Sequence, residues 1–211
     1  MAGNERLGPY TLSWPDGVFP LGEDALALGE FVTLRPGWSV CDLGTGSGVL
    51  LLLLAARQSG LSLHGVELNP LAAQTAQKNL EANGLDGHIC TGDLRTFPLP
   101  RRPFDLVVSN PPYFPMESGS SGGPQRSEEN CSLEQLCSRA GQLVRNGGRF
   151  ALCHRPERMV DVLYTLRFHN LEPKRLKLVS HSLGHPPSLL LVEGIKQGHP
   201  GLKVVVDVRH P

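Results

Sequence analysis

Asn110-Pro111-Pro112-Tyr113, with Phe114 directly behind it, combines the residue types needed to hold a planar amino group. The Asn110 side-chain oxygen is one acceptor. The Pro111 carbonyl is a second, because two adjacent prolines cannot continue a sheet ladder and leave it unclaimed. Tyr113 and Phe114 offer aromatic faces on which a flat base stacks, a contact worth about 1–3 kcal/mol per base. Such a stretch is suited to an exocyclic or amide nitrogen. The alternative is a Pro-rich surface turn with an aromatic packed inward.

A second group of residues lies upstream. Asp42 and Leu43 run into Gly44-Thr45-Gly46-Ser47-Gly48, where glycines let a backbone approach a ligand at the start of a helix. The glycines fall at the first, third and fifth positions, with Val49 sixth. A dinucleotide fingerprint needs them at the first, third and sixth, and a P-loop needs Gly-Lys-Ser/Thr, so pyrophosphate ligands are disfavoured. Glu67, 19 residues beyond Gly48 and followed by Leu68, is placed to accept both hydroxyls of a ribose. Asp93, between Gly92 and Leu94, could accept from an adenine amino group, although Gly-Asp is also a common turn pair.

The elements that must position these residues alternate. Apolar, β-branched runs predict strands over 38–43, 63–66, 88–90, 104–108 and 149–153. Helices are predicted from Asp24, over 49–57, from Pro70 to Asn83-Gly84, from Ser132 to Asn146 with Gly147-Gly148 as its stop, and from Pro156 to His169. Asp24 is expected to cap its helix, with contact to a ligand amino group as the alternative. The candidate residues then fall at carboxyl ends of strands, where open α/β sheets keep their ligands. The last three strands, over 175–179, 188–195 and 202–208, have no helix between them and are expected to pair antiparallel at the sheet edge. Residues 1–17 form an arm or small hairpin turning at Pro15-Asp16-Gly17, and 18–211 one domain. The Gly- and Ser-rich segment 116–129 is a candidate lid or substrate-ordering loop, and equally an ordinary flexible insertion.

The chain has 211 residues, 40% hydrophobic and 19% charged, ordinary for a globular domain. Its longest apolar run, Val49 to Ala56, is far short of a membrane span, so a cytoplasmic protein without membrane association is expected. The five cysteines form neither a C-x-x-C pair nor a cluster with histidine, which argues against disulfides and against a metal site. Net charge is zero but uneven: residues 1–100 hold 5 basic and 10 acidic side chains, and 139–177 hold 9 and 3. That asymmetry suits a face that meets RNA, and equally a set of solvated helix surfaces.

In this order, Asp42 to Gly48, Glu67, Gly92-Asp93 and Asn110 to Tyr113 resemble the class I S-adenosylmethionine-dependent methyltransferases. The resemblance implies a Rossmann-like α/β fold, a mostly parallel seven-stranded sheet with helices on both faces and an antiparallel C-terminal edge hairpin. It implies S-adenosylmethionine as cofactor, held by Asp42, Gly44, Thr45, Gly46, Gly48, Glu67, Leu68, Asp93, Leu94 and Asn110. Asn110, Pro111, Pro112 and Tyr113 would bind the amino group to be methylated. His154-Arg155-Pro156-Glu157-Arg158, Glu172-Pro173-Lys174-Arg175, Glu193-Gly194-Ile195-Lys196 and Pro200-Gly201-Leu202-Lys203 are similar to bacterial enzymes that methylate N6 of the adenine beside the anticodon of a valine tRNA. That similarity makes tRNA the expected partner and adds Phe114, Arg155 and Arg158 as substrate contacts. A methyltransferase of protein glutamine, one acting on another RNA or DNA adenine, and a non-catalytic RNA-binding module are the competing readings.

Overall fold

The computed structural model describes residues 2–18, 21–98, 100–111, 131–180 and 182–208. Pro112, Tyr113, Phe114 and the segment 116–129 lie outside them.

The chain opens on β1 (Gly3–Leu7) and β2 (Tyr10–Trp14), an antiparallel hairpin. Its turn is at Gly8-Pro9, where Gly8 takes φ 62, and not at Pro15-Asp16-Gly17, which forms a separate turn after β2. Then follow α1 (Glu23–Phe31), β3 (Ser39–Leu43), α2 (Val49–Arg57), β4 (Ser62–Glu67), α3 (Pro70–Ala82), β5 (Gly87–Thr91) and β6 (Phe104–Ser109). After the undescribed stretch come α4 (Leu133–Leu143), β7 (Val144–His154), a 3-10 turn over Pro156–Arg158, α5 (Met159–Phe168), β8 (Leu171–Ser180), β9 (Leu189–Lys196) and β10 (Lys203–Val208).

Sequence-local signals set several boundaries. The Asn69 side chain accepts from the amides of Leu71 and Ala72, with Pro70 in the first turn of α3. Ser132 and Gln135 form a reciprocal capping box on α4. Asp24 is not a cap: the cap of α1 is Gly22, and Asp24 sits in the first turn, half-buried. Nor does α4 reach Asn146, because Val144 already pairs with Phe104 of β6, and a sheet partner outcompetes one more helical turn.

The main sheet has eight described strands in the order β10-β8-β9-β7-β6-β3-β4-β5, one more than expected. From β5 to β7 all neighbours are parallel, and β9 is antiparallel to both β7 and β8. At the edge, β10 pairs parallel with β8 and not antiparallel as the sequence suggested. The loop after β9 carries the chain past β8 to its far side, so β10 runs opposite to β9, as in a hairpin, but takes β8 as its neighbour and is parallel to it.

Alternation along the strands divides the core. Val40, Leu63, Leu106, Val108, Ala151 and Cys153 face α1, α2 and the hairpin residues Leu7 and Leu12. Cys41, Leu43, Val66, Val107, Phe150 and Leu152 face α4 and α5. A parallel sheet covered on both faces explains why these strands read as continuous apolar runs. Strand order reverses between β3 and β6, so the crevice beyond their carboxyl ends is the ligand position of this architecture.

Candidate active site

At that crevice the end of β3 and the end of β6 are tied directly: Ser109 Oγ donates to Leu43 O at 2.7 Å. The glycine loop leaves β3 with Gly44, Gly46 and Gly48 at φ 76, 56 and 85, conformations that side-chain-bearing residues rarely take. An added Cβ at Gly44 or Gly46 would meet nothing, so there the backbone angle, and not space, requires glycine. At Gly48 a Cβ would also come within 3.3 Å of Ala76 on α3.

Two carboxylates meet this loop, and a third lies at the end of β5. Asp42, 1% exposed, accepts from Thr45 Oγ1 at 2.8 Å through Oδ2. Its Oδ1 is buried without a partner, as is Ser47 Oγ. Burial pushes the Asp42 carboxyl up to about 7, with the Thr45 hydroxyl opposing and the Glu67 charge adding to the rise. Thr45 itself fits because Gly65 on β4 lacks a side chain; a Cβ there would lie 2.9 Å from Thr45 Cγ2.

Glu67 closes β4 and clamps two loops: Gly46 N donates to Oε2 and Asn69 N to Oε1, each at 2.8 Å. Each oxygen keeps a further lone pair for a hydroxyl. Leu68 beside it is 49% exposed. Gly92 N donates to Glu67 O, bringing the end of β5 alongside. There the Asp93 carboxylate takes Arg95 Nε on both oxygens, at 2.9 and 2.8 Å. The Arg95 hydrogen bonds hold Asp93 below the usual carboxylate range. Leu94 is half-buried against the α4 side of the core.

Asn110 follows β6 and accepts from Cys153 Sγ at 2.9 Å. Pro111 beside it is half-buried. Asp24 lies on the same face, close enough, with Asp42, to act electrostatically on Cys153. Arg155 and Arg158 follow the neighbouring strand β7, at the same end of the sheet; Arg158 Nε pairs with Asp161 at 2.6 Å. Asp42, the glycine loop, Glu67, Asp93 and Asn110 thus come from the adjacent strand ends of β3, β4, β5 and β6.

The basic segment 139–177 is a different matter. Of its nine basic side chains, Arg145, Arg149, Arg158, Arg167, Arg175 and Lys177 have carboxylate partners in this chain. Arg139 is 7% exposed. The charge asymmetry is spent largely on internal pairing, so it gives little support to an RNA-binding face.

Two supports escaped sequence reading. Asn79 on α3 donates to Ser47 O and Ser13 O and accepts from Ser13 N, joining helix, hairpin and glycine loop. Cys153 reads as one more apolar core residue. An asparagine inside a helical stretch was a signal for the first; nothing local marked the second.

The acceptors fit the methionine, ribose and adenine parts of S-adenosylmethionine: orphaned buried oxygens at Asp42 and Ser47, a carboxylate at the end of β4 and another after β5. No group of three His, Cys, Asp or Glu among the described residues could hold a metal. No described helix is long and apolar enough to cross a membrane.

Comparisons with known proteins bear on the fold and the family. A protein described as a predicted O-methyltransferase from Agrobacterium tumefaciens superposes with TM-score 0.71 at 20% identity, over 89% of this chain and 88% of that one. A T. thermophilus 16S rRNA N2 methyltransferase, solved with AdoMet and guanosine, gives 0.67 at 23% identity over 93% of this chain and 50% of its own. In sequence, the tRNA1(Val) (adenine(37)-N6)-methyltransferase of Porphyromonas gingivalis is 32% identical over 189 residues, 82% of this chain and 73% of the relative. The enzyme of the same name from a Flavobacteriaceae bacterium is 29% identical over 150 residues, and the chain spans 64% of its length. The family model described as methyltransferase small domain matches residues 26–172, and this chain belongs to that family.

Proposed function

We propose that this chain is an S-adenosylmethionine-dependent methyltransferase acting on N6 of an adenine in tRNA, of the adenine-37 type, in the cytoplasm. The observation that carries the reading is the placement of Asn110 beside the glycine loop, tied to it through Ser109 and Leu43. The substrate class comes from the relatives' names, since the paired basic segment argues little either way.

When bound, the cofactor supplies an electrophilic methyl group. Asp42 Oδ1 and Ser47 Oγ would accept from its ammonium, Glu67 from its ribose hydroxyls and Asp93 from its adenine amine. The exocyclic nitrogen of a substrate adenine is a weak nucleophile because its lone pair is delocalised. Asn110 Oδ1 and the Pro111 carbonyl, accepting from its two N–H bonds, favour the pyramidal nitrogen and stabilise the positive charge it develops. Tyr113 and Phe114 are proposed to stack the base, which must swing out of its own stack to arrive. Arg155 and Arg158, at the same end of the sheet, are proposed to meet the RNA backbone.

The test is transfer of labelled methyl to total tRNA lacking these modifications, with a release factor as parallel acceptor and Asn110→Ala as control. Label recovered as N6-methyladenosine, and lost in Asn110→Ala with cofactor affinity retained, is the expected result. Label in the release factor alone would replace tRNA by a protein glutamine.

A further inference from the structure

Asn110 is the first residue past β6, and β6 runs parallel to β7 with Ser109 opposite Leu152. One step along that register stands Cys153, whose Sγ donates to Asn110 Oδ1 at 2.9 Å. The thiol is fully buried, in the core cluster that holds Val108, Ala151, Leu189 and Leu191, and β9 covers it through the Cys153–Leu191 pair. Burial holds its pKa well above the ordinary thiol value, so the group keeps its proton and is a donor.

An amide side chain has two ends of equal shape and opposite hydrogen-bonding sense. A fixed donor selects the oxygen end. Among the described residues, the Cys153 thiol is the group that hydrogen-bonds the Asn110 side chain. We propose that Cys153 is a positioning residue for methyl transfer: its thiol holds the Asn110 amide so that the remaining lone pair of Oδ1 faces the target amine. This rests on the reading of Asn110 given above. A thiol suits the task because it behaves as a small hydrophobe with a weak donor, and so can stand in an apolar core at little desolvation cost. A preset acceptor spares the reaction the reorganisation of a free amide.

Two measurements test this, one without turnover. The S–H stretching band of Cys153, isolated as the infrared difference between wild type and Cys153→Val, is expected to move to higher frequency in the Asn110→Ala background. A band that stays in place overturns the proposal whatever the substrate. In the transfer assay, Cys153→Val is expected to lower kcat about 3- to 10-fold, the worth of one net hydrogen bond. KM for tRNA and cofactor affinity should hold, and Cys153→Ser, which keeps a donor, should recover most of the loss. Unchanged kcat in Cys153→Val, or equal loss in both variants, overturns it too. A band that moves in a protein methylating neither acceptor would leave Asn110 held by Cys153 and sink the tRNA reading instead.

Discussion

Thr45 Oγ1 donates to Asp42 Oδ2 at 2.8 Å, while Asp42 Oδ1, equally buried, has no partner. This half-satisfied carboxylate has its pKa raised from 3.8 to about 7. Between those values the folded chain binds a proton at Asp42 that the unfolded chain does not. Its contribution to stability is therefore negative with rising pH across that window, and levels off above about 7. Urea midpoints of the ligand-free protein, compared with Asp42→Asn from pH 5 to 8, should show the wild type losing stability relative to the variant as pH rises. A parallel pair of curves would remove Asp42 as the cause.

The same titration governs the cofactor. A ligand ammonium needs the ionised carboxylate, so affinity for S-adenosylmethionine should climb as pH rises through about 7. It should turn down again at about 8, where the ligand's own α-amino group loses its proton. Calorimetry in buffers of different ionisation enthalpy should detect proton release near neutral pH. Affinity that is flat from pH 6 to 7.5 would mean that Asp42 meets no cation.

Asn79 imitates a strand's backbone, giving and taking a hydrogen bond with Ser13, and also holds Ser47 O in the glycine loop. Asn83, one turn on, makes the same pair with Thr11. Only Asn79 reaches the loop. Asn79→Ala should cost about 2–3 kcal/mol by stranding partly buried partners, and should weaken cofactor binding. Asn83→Ala should destabilise without that second effect. Equal cofactor affinity in the two variants would show that the hairpin, and not the loop, is what Asn79 supports.

The glycine spacing, the Asn69-Pro70 start of α3 and the Ser132 capping box were legible because each is a local device, complete within about a turn of chain. The carboxylates at strand ends were legible for the same reason. What the sequence hid depends on partners far away in the chain. Arg149 reads as part of a basic segment, yet its partner is Glu193, 44 residues on. Asn146-Gly147-Gly148 reads as a helix stop, yet β6 claims the chain earlier, at Val144. The parallel pairing of β10 follows from its loop crossing β8 to reach the sheet edge, a choice of neighbour that no periodicity carries.

Glu193 sits in a family signature, and the structure gives it a structural task. With no exposed surface, it accepts from Thr33 N at 2.7 Å, Thr33 Oγ1 at 2.8 Å and Arg149 Nη1 at 2.7 Å. Glu193→Ala should destabilise by about 3 kcal/mol, the low end for breaking a buried pair, because Arg149 and Arg175 keep some access to water. At temperatures below its melting point the variant should retain KM for tRNA. A raised KM in a fully folded protein would make the signature a substrate contact after all.

Arg95 occupies the Asp93 carboxylate through both oxygens. If Asp93 receives the cofactor's adenine amine, that amine must share or displace the guanidinium. Exposed pairs of this kind are weak, so the competition is modest. Arg95→Met should then tighten cofactor binding by about two- to five-fold, with no change in thermal midpoint beyond a degree or two. Asp93→Asn should weaken binding in either background. Calorimetric titration of the single and double variants reads both effects. Weaker binding in Arg95→Met would assign Arg95 a contact with the ligand itself, and would reverse its role from competitor to partner.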